Sequence, residues 1–107
     1  MALPEIGKLV RDLIPEIITK SGKTPRTSIL EREDHLAALR LKILEEAQEL
    51  SRASTEEVPE EMADVYEVLL AIAHQMSIPW SSIEQLALKK RKERGGFRGR
   101  IWLLEVD

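Results

Sequence analysis

Two consecutive stretches of about twenty residues repeat their apolar side chains at helical spacing, with a cap signal between them. That pattern restricts the chain to a helical hairpin or to something built on one. The first stretch runs from about Arg32 to Arg52, with a stripe of Leu36, Leu39, Ile43, Ala47 and Leu50. The second covers about 57–76, with Met62, Val65, Leu69, Ile72 and Met76. Between them Ser54-Thr55-Glu56-Glu57 matches a capping box, and Pro59 with its acidic neighbours suits a first helical turn. Ser77-Ile78-Pro79 breaks the second stretch. A further capping box, Ser81-Ser82-Ile83-Glu84, opens a third helix that ends at Gly95-Gly96. Upstream, residues 9–20 have helical spacing interrupted by Pro15, and residues 21–25 read as a turn. Residues 100–106 alternate only loosely, as a short strand or an extended arm would. The expected fold is all-α: an antiparallel bundle of about four helices, completed by oligomerisation, with a short extended C-terminal arm.

Composition narrows the class further. The 107 residues are 43% hydrophobic and 33% charged, which fits neither a disordered tail nor a membrane protein. Residues 1–107 are expected to form a single domain. No apolar run approaches the roughly 18 residues that span a bilayer, and the amino terminus shows no signal-peptide pattern, so the expected location is cytoplasmic. Cysteine is absent, which excludes disulfides, cysteine–zinc sites and thiol nucleophiles together. Two histidines, His35 and His74, are too few for a histidine-rich metal site.

The net charge of −3 conceals an asymmetry. Residues 31–67 carry twelve acidic against four basic side chains, and residues 86–100 carry seven basic side chains against Glu93. Such a chain can hold cations in one place and phosphates in another. The acidic residues are also placed unusually. Positions 36, 39, 43, 46 and 50 form a 3-4-3-4 seam, and position 46 is glutamate. Glu49 follows at i+3; Glu61 and Asp64 repeat that spacing on the next helix and continue into Val68 and Ala71. Antiparallel packing would bring the four carboxylates together. They cannot all stay ionised there without compensation, and a hard divalent cation, Mg²⁺ or Mn²⁺, supplies it. Taken singly, either pair reads equally as a solvated helix face.

At this point the sequence resembles a known family. Glu45-Glu46-x-x-Glu49, eleven residues, then Glu61-x-x-Asp64 is similar to the EExxE…ExxD signature of the all-α nucleoside triphosphate pyrophosphohydrolases. This MazG-like superfamily includes phosphoribosyl-ATP pyrophosphohydrolase. The stretch from Lys8 to Pro15 resembles the KLVRD-IP opening of a small subgroup, and Arg94-Gly95-Gly96-Phe97 resembles its RGGF ending. The eleven-residue gap is slightly short for the superfamily and favours a compact hairpin. The resemblance implies attack of water at the α-phosphorus of a nucleoside triphosphate or related nucleotide, giving the monophosphate and pyrophosphate. It makes Glu46, Glu49, Glu61 and Asp64 the metal ligands and Glu45 the carboxylate that orients or deprotonates the attacking water. It further implies a Mg²⁺ cofactor, with Mn²⁺ as substitute. Helices with more than one apolar row have more surface than a 107-residue unit can cover, which predicts a homodimer or dimer of dimers, and the resemblance implies sites near the subunit interface.

The basic residues then have a use. Lys89 and Lys92 lie i, i+3 on the third long helix and Arg94 follows before the glycines; Lys8 and Arg11 approach from the other end of the chain. All five are candidate ligands for substrate phosphates. The bland alternative is that each is merely solvated. Tyr66 reads as core, Trp80 as packing over a bundle end or a subunit contact, and Phe97 and Trp102 as anchors of the C-terminal arm. Two functions compete within one chemistry, house-cleaning of nucleotide pools and phosphoribosyl-ATP hydrolysis in histidine biosynthesis. From other classes, a helical nucleic-acid-binding module would use segment 86–100, and a non-catalytic oligomerisation bundle would account for the apolar stripes. The acidic chain and the lack of interleaved aromatics disfavour nucleic acid, and oligomerisation alone leaves the carboxylate at position 46 without a purpose.

Overall fold

The buried apolar side chains among the described residues, Ala38, Leu39, Val68 and Ala73, sit on two neighbouring helices. A computed structural model describes residues 3–107. It contains four helices, α1 (Ile14–Lys20), α2 (Arg32–Arg52), α3 (Val58–Gln75) and α4 (Trp80–Arg94), and no strand among the described residues. The chain is therefore all-α, as its periodicity predicts. Among the described residues no helix is long and apolar enough to cross a membrane.

Among the described residues the α2–α3 hairpin is the one extensive helix–helix contact. Its antiparallel sense is locked at the open end by three hydrogen bonds. Arg32 Nη2 donates to the Gln75 carbonyl at 3.2 Å, and Gln75 Nε2 donates back to the Arg32 carbonyl at 3.4 Å. His35 Nδ1 lies 3.1 Å from Gln75 Oε1, so this histidine carries its proton on Nδ1, because an amide oxygen only accepts. At the closed end the expected capping box forms in altered shape. The Glu57 carboxylate accepts from the Ser54 backbone N–H at 3.1 Å and from its hydroxyl at 2.8 Å, and the helix proper begins one residue later, with Pro59 in its first turn.

The face that packs is the seam containing the acids. Leu36, Ile43 and Leu50 are half-buried around buried Leu39 and Glu46, whereas Ala47 of the simpler stripe is exposed. On α3 the packed row is Glu61, Asp64, Val68 and Ala71, flanked by Val65 and Ile72. Met62, Leu69 and Met76 lie exposed on another side, together with Leu41 and Leu44 of α2. A helix apolar on more than one side presents only one of them to a single neighbour, so the remaining rows stay in solvent.

The other elements add little burial. α1 is shorter than the spacing over 9–20 predicts. Proline has no N–H and fits a first turn, so Pro15 starts the helix rather than interrupting it. α4 begins at Trp80, before the predicted serine box, because extended Pro79 already offers its carbonyl to the Ser82 N–H at 3.0 Å. It ends where expected, at Gly95, whose φ of 84° is readily adopted by glycine. α4 has no buried residue. Its start is pinned by the Trp80 ring, which meets Tyr66 edge-on at 5.6 Å and 87°. Tyr66 is therefore half-exposed rather than core. Residues 101–106 form no strand, and Phe97 and Trp102 are exposed and anchor nothing within the chain. The radius of gyration is 18.0 Å, against about 13 Å for a compact chain of this length.

With so small a core, Leu39→Ala is expected to cost about 3 kcal/mol. Urea unfolding followed by far-ultraviolet circular dichroism measures it, and a loss below about 0.5 kcal/mol would remove Leu39 from the core.

Candidate active site

Glu46 stands in the middle of the α2 seam because the 3-4 spacing of its leucine and isoleucine neighbours turns that face inward. It is 8% exposed. Opposite it, one turn into α3, are Glu61 and Asp64, both half-buried. One carboxylate oxygen from each of Glu46, Glu61 and Asp64 lies within 4.8 Å of the other two. Glu46 Oε2 and Glu61 Oε2 are buried with no hydrogen-bond partner. A buried carboxylate oxygen without a donor is costly, and here one stands on each of two facing helices. Converging all-oxygen donors of this kind fit a hard divalent cation such as Mg²⁺ or Mn²⁺.

Glu49, the fourth predicted ligand, is exposed and lies outside this triad. It still acts on the triad electrostatically. Burial pushes the Glu46 carboxyl above its ordinary value, and the charge of Glu49, a hydrogen bond with it and the charge of Asp64 push the same way, against Lys42. Desolvation likewise raises Glu61, with Glu49 and Asp64 the next contributors. Glu57 moves the other way, held down by its hydrogen bonds to Ser54, and its work is structural.

Two cations reach the cluster. Arg11 Nη2 donates to Asp64 Oδ1 at 2.8 Å from 53 positions away in the sequence. Lys42, only 20% exposed, lies 3.3 Å from Glu45 Oε2 and 3.6 Å from Glu46 Oε1. Sequence reasoning singled out Arg11 for phosphate and overlooked Lys42. The signal was present, since a lysine three and four residues ahead of two glutamates shares their helix face. Glu45 itself is half-exposed beside the triad. The other basic candidates are not brought in. Lys8 is exposed, Lys89 pairs with Glu93 at 4.0 Å along α4, and Lys92 and Arg94 are exposed near the end of that helix. Within one chain α4 does not pack along the hairpin, so its charges stand apart from the carboxylates.

The family model described as phosphoribosyl-ATP pyrophosphohydrolase matches residues 10–91, more than three quarters of the chain. The chain belongs to this family. The family lies within the MazG-like all-α superfamily, and the matched span holds Arg11, Lys42, Lys89 and the carboxylates of the cluster, Glu45, Glu46, Glu49, Glu61 and Asp64. An uncharacterized protein of Mycolicibacterium smegmatis (strain ATCC 700084 / mc(2)155) is 46% identical over 50 residues, 47% of this chain and 51% of that protein. The chain thus spans about half the length of the relative it matches. No solved structure matches it.

A carboxyl raised in the folded state stabilises the fold below its unfolded value of about 4.5 and loses that contribution as pH climbs through the folded value. In chelator, Glu46→Gln is therefore expected to stabilise the protein at pH 7 by on the order of 1 kcal/mol, with the gain shrinking toward pH 4.5. Thermal melts of both proteins across that range read it. A variant less stable than wild type at pH 7 would contradict the assigned cause.

Proposed function

We propose that the chain is a divalent-metal-dependent hydrolase that splits a nucleoside triphosphate or related nucleotide into the monophosphate and pyrophosphate. The observation that carries this reading is the Glu46–Glu61–Asp64 triad with its two orphaned, buried oxygens, in a chain of a pyrophosphohydrolase family. Glu46, Glu61 and Asp64 would hold the ion, with Glu49 completing the set as substrate enters. A bound Mg²⁺ polarises phosphate oxygens, offsets charge on the leaving pyrophosphate and acidifies water. The chain's own part is to position and to move a proton. Glu45, beside the triad and held by Lys42, accepts a proton as water forms its bond to the α-phosphorus and the bond to the bridging oxygen breaks. Lys8, Arg11, Lys89, Lys92 and Arg94 are the residues offered to phosphate oxygens.

The substrate has two readings. The family description is equally consistent with the general reaction on canonical or damaged triphosphates, which would serve nucleotide-pool house-cleaning, and with phosphoribosyl-ATP, as in histidine biosynthesis. Either places the protein in the cytoplasm. Pyrophosphate release from phosphoribosyl-ATP and from a triphosphate panel, with Mg²⁺ or Mn²⁺, separates them. Glu46→Gln is expected to lower the rate at least a hundredfold, about 3 kcal/mol of transition-state stabilisation, and chelation to abolish it. Release that survives Glu46→Gln would refute the site.

We further propose a homodimer or dimer of dimers. Leu41, Leu44, Met62, Leu69 and Met76 of the hairpin are exposed, apolar surface that a second copy would cover. The basic stretch of α4, which stands apart from its own acidic hairpin, is then free to approach that of a second copy. Sedimentation at micromolar concentration is expected to show at least two copies, and Leu44→Glu with Met62→Glu to yield monomers. A wild-type monomer would end this proposal.

A further inference from the structure

The N-terminal segment before α1 reaches the acidic cluster through one side chain, and the reading of that cluster as a metal centre gives the contact a meaning. The triad is unevenly held. Glu46 is fixed by burial and by Lys42, and Glu61 is packed half-buried on the inner row of α3. Asp64 is the loose member, its side chain 40% exposed, and Arg11 donates to it. The contact is made through a single guanidinium nitrogen and engages one of the two carboxylate oxygens, Oδ1.

Charge makes the same point. Glu45, Glu46, Glu49, Glu61 and Asp64 together carry −5 when ionised, and Arg11 with Lys42 returns +2. The remaining −3 exceeds the charge of one divalent ion with both cations still in place. Arg11 therefore need not leave for the ion to enter. A carboxylate that binds metal through one oxygen is commonly fixed by a hydrogen bond to the other.

We infer that Arg11 is a positioning residue: from the N-terminal segment it holds Asp64 by Oδ1 in the orientation in which the carboxylate serves as a metal ligand. The inference rests on the metal-centre reading proposed above and adds to it a residue outside the carboxylate signature. Its consequence has an unusual sign. Removing a positive charge next to a cation site ordinarily tightens cation binding, because like charges repel. Removing a residue that orients a ligand loosens it.

The test is Mn²⁺ titration of the full chain, followed by the electron paramagnetic resonance of free Mn²⁺. It compares wild type, Arg11→Ala, Arg11→Lys and Lys20→Ala. Lys20 is an exposed cation of α1 paired with Glu16 at 3.5 Å, and its loss changes net charge equally. Arg11→Ala is expected to weaken binding about tenfold, Arg11→Lys to recover part of the loss, and Lys20→Ala to stay near wild type. The melt of Arg11→Ala in chelator should match wild type, because an exposed pair contributes little to the fold. Equal or tighter Mn²⁺ binding by Arg11→Ala would overturn the inference and leave the metal centre standing, with Arg11 a bystander or a rival cation. Loss of helicity in chelator would make the role structural and overturn it as well. No saturable uptake by wild type would overturn the metal centre and this inference together.

Discussion

A glutamate seated in an apolar helix seam governs the rest of this molecule. α2 and α3 bury few side chains, yet Glu46 is among them, and Glu61 and Asp64 come from the facing row. Burying carboxylates with unpartnered oxygens opposes folding, and the small aliphatic core of Ala38, Leu39, Val68 and Ala73 has to outweigh it. The arrangement becomes favourable when a cation joins it, since the same oxygens then become ligands and their raised pKa values return to the ordinary range. Stability and the proposed activity are thereby set in opposition in the isolated chain and in concert once an ion is held.

The hairpin is also incomplete as a globular unit. Its outer rows leave Leu41, Leu44, Met62, Leu69 and Met76 in solvent, α4 extends from a single aromatic contact, and the last residues cover nothing. An extent of 58 Å and a radius of gyration well above that of a compact chain express the same fact. A second copy gives these surfaces a partner of matching chemistry, apolar against apolar and the basic α4 against the acidic hairpin. The proposed assembly thus follows from what one chain cannot cover, and it is one way for cations on α4 to reach carboxylates they do not meet in their own chain.

Much of this was legible in the sequence, for identifiable reasons. The limits of α2 match the expected ones, and those of α3 differ by a single residue at each end, because periodicity and proline placement are local properties that tertiary packing did not override. The acidic seam was legible too, as position 46 falls where the row of 36, 39, 43 and 50 demands an apolar residue. The stripe through Ala47 and the row of Met62, Leu69 and Met76 looked equally buried and are not. Both faces satisfy the same spacing, and only the partner helix selects between them. Tyr66 departs from its core expectation for a related reason. Its environment is set by Trp80, which lies on another element.

The sequence by itself determined the secondary structure, the family and the set of acidic residues, since these are carried by short-range spacing and by motifs of fixed order. The tertiary structure decided which three of the four predicted ligands converge, because a spacing of i, i+3 places side chains on one face without saying how deeply that face is buried. It decided that Arg11, rather than the lysines of α4, joins the cluster, because the contact with Asp64 spans 53 residues and only the fold closes it. Lys42 reaches Glu46 within a single helical turn, a contact that local spacing already carries.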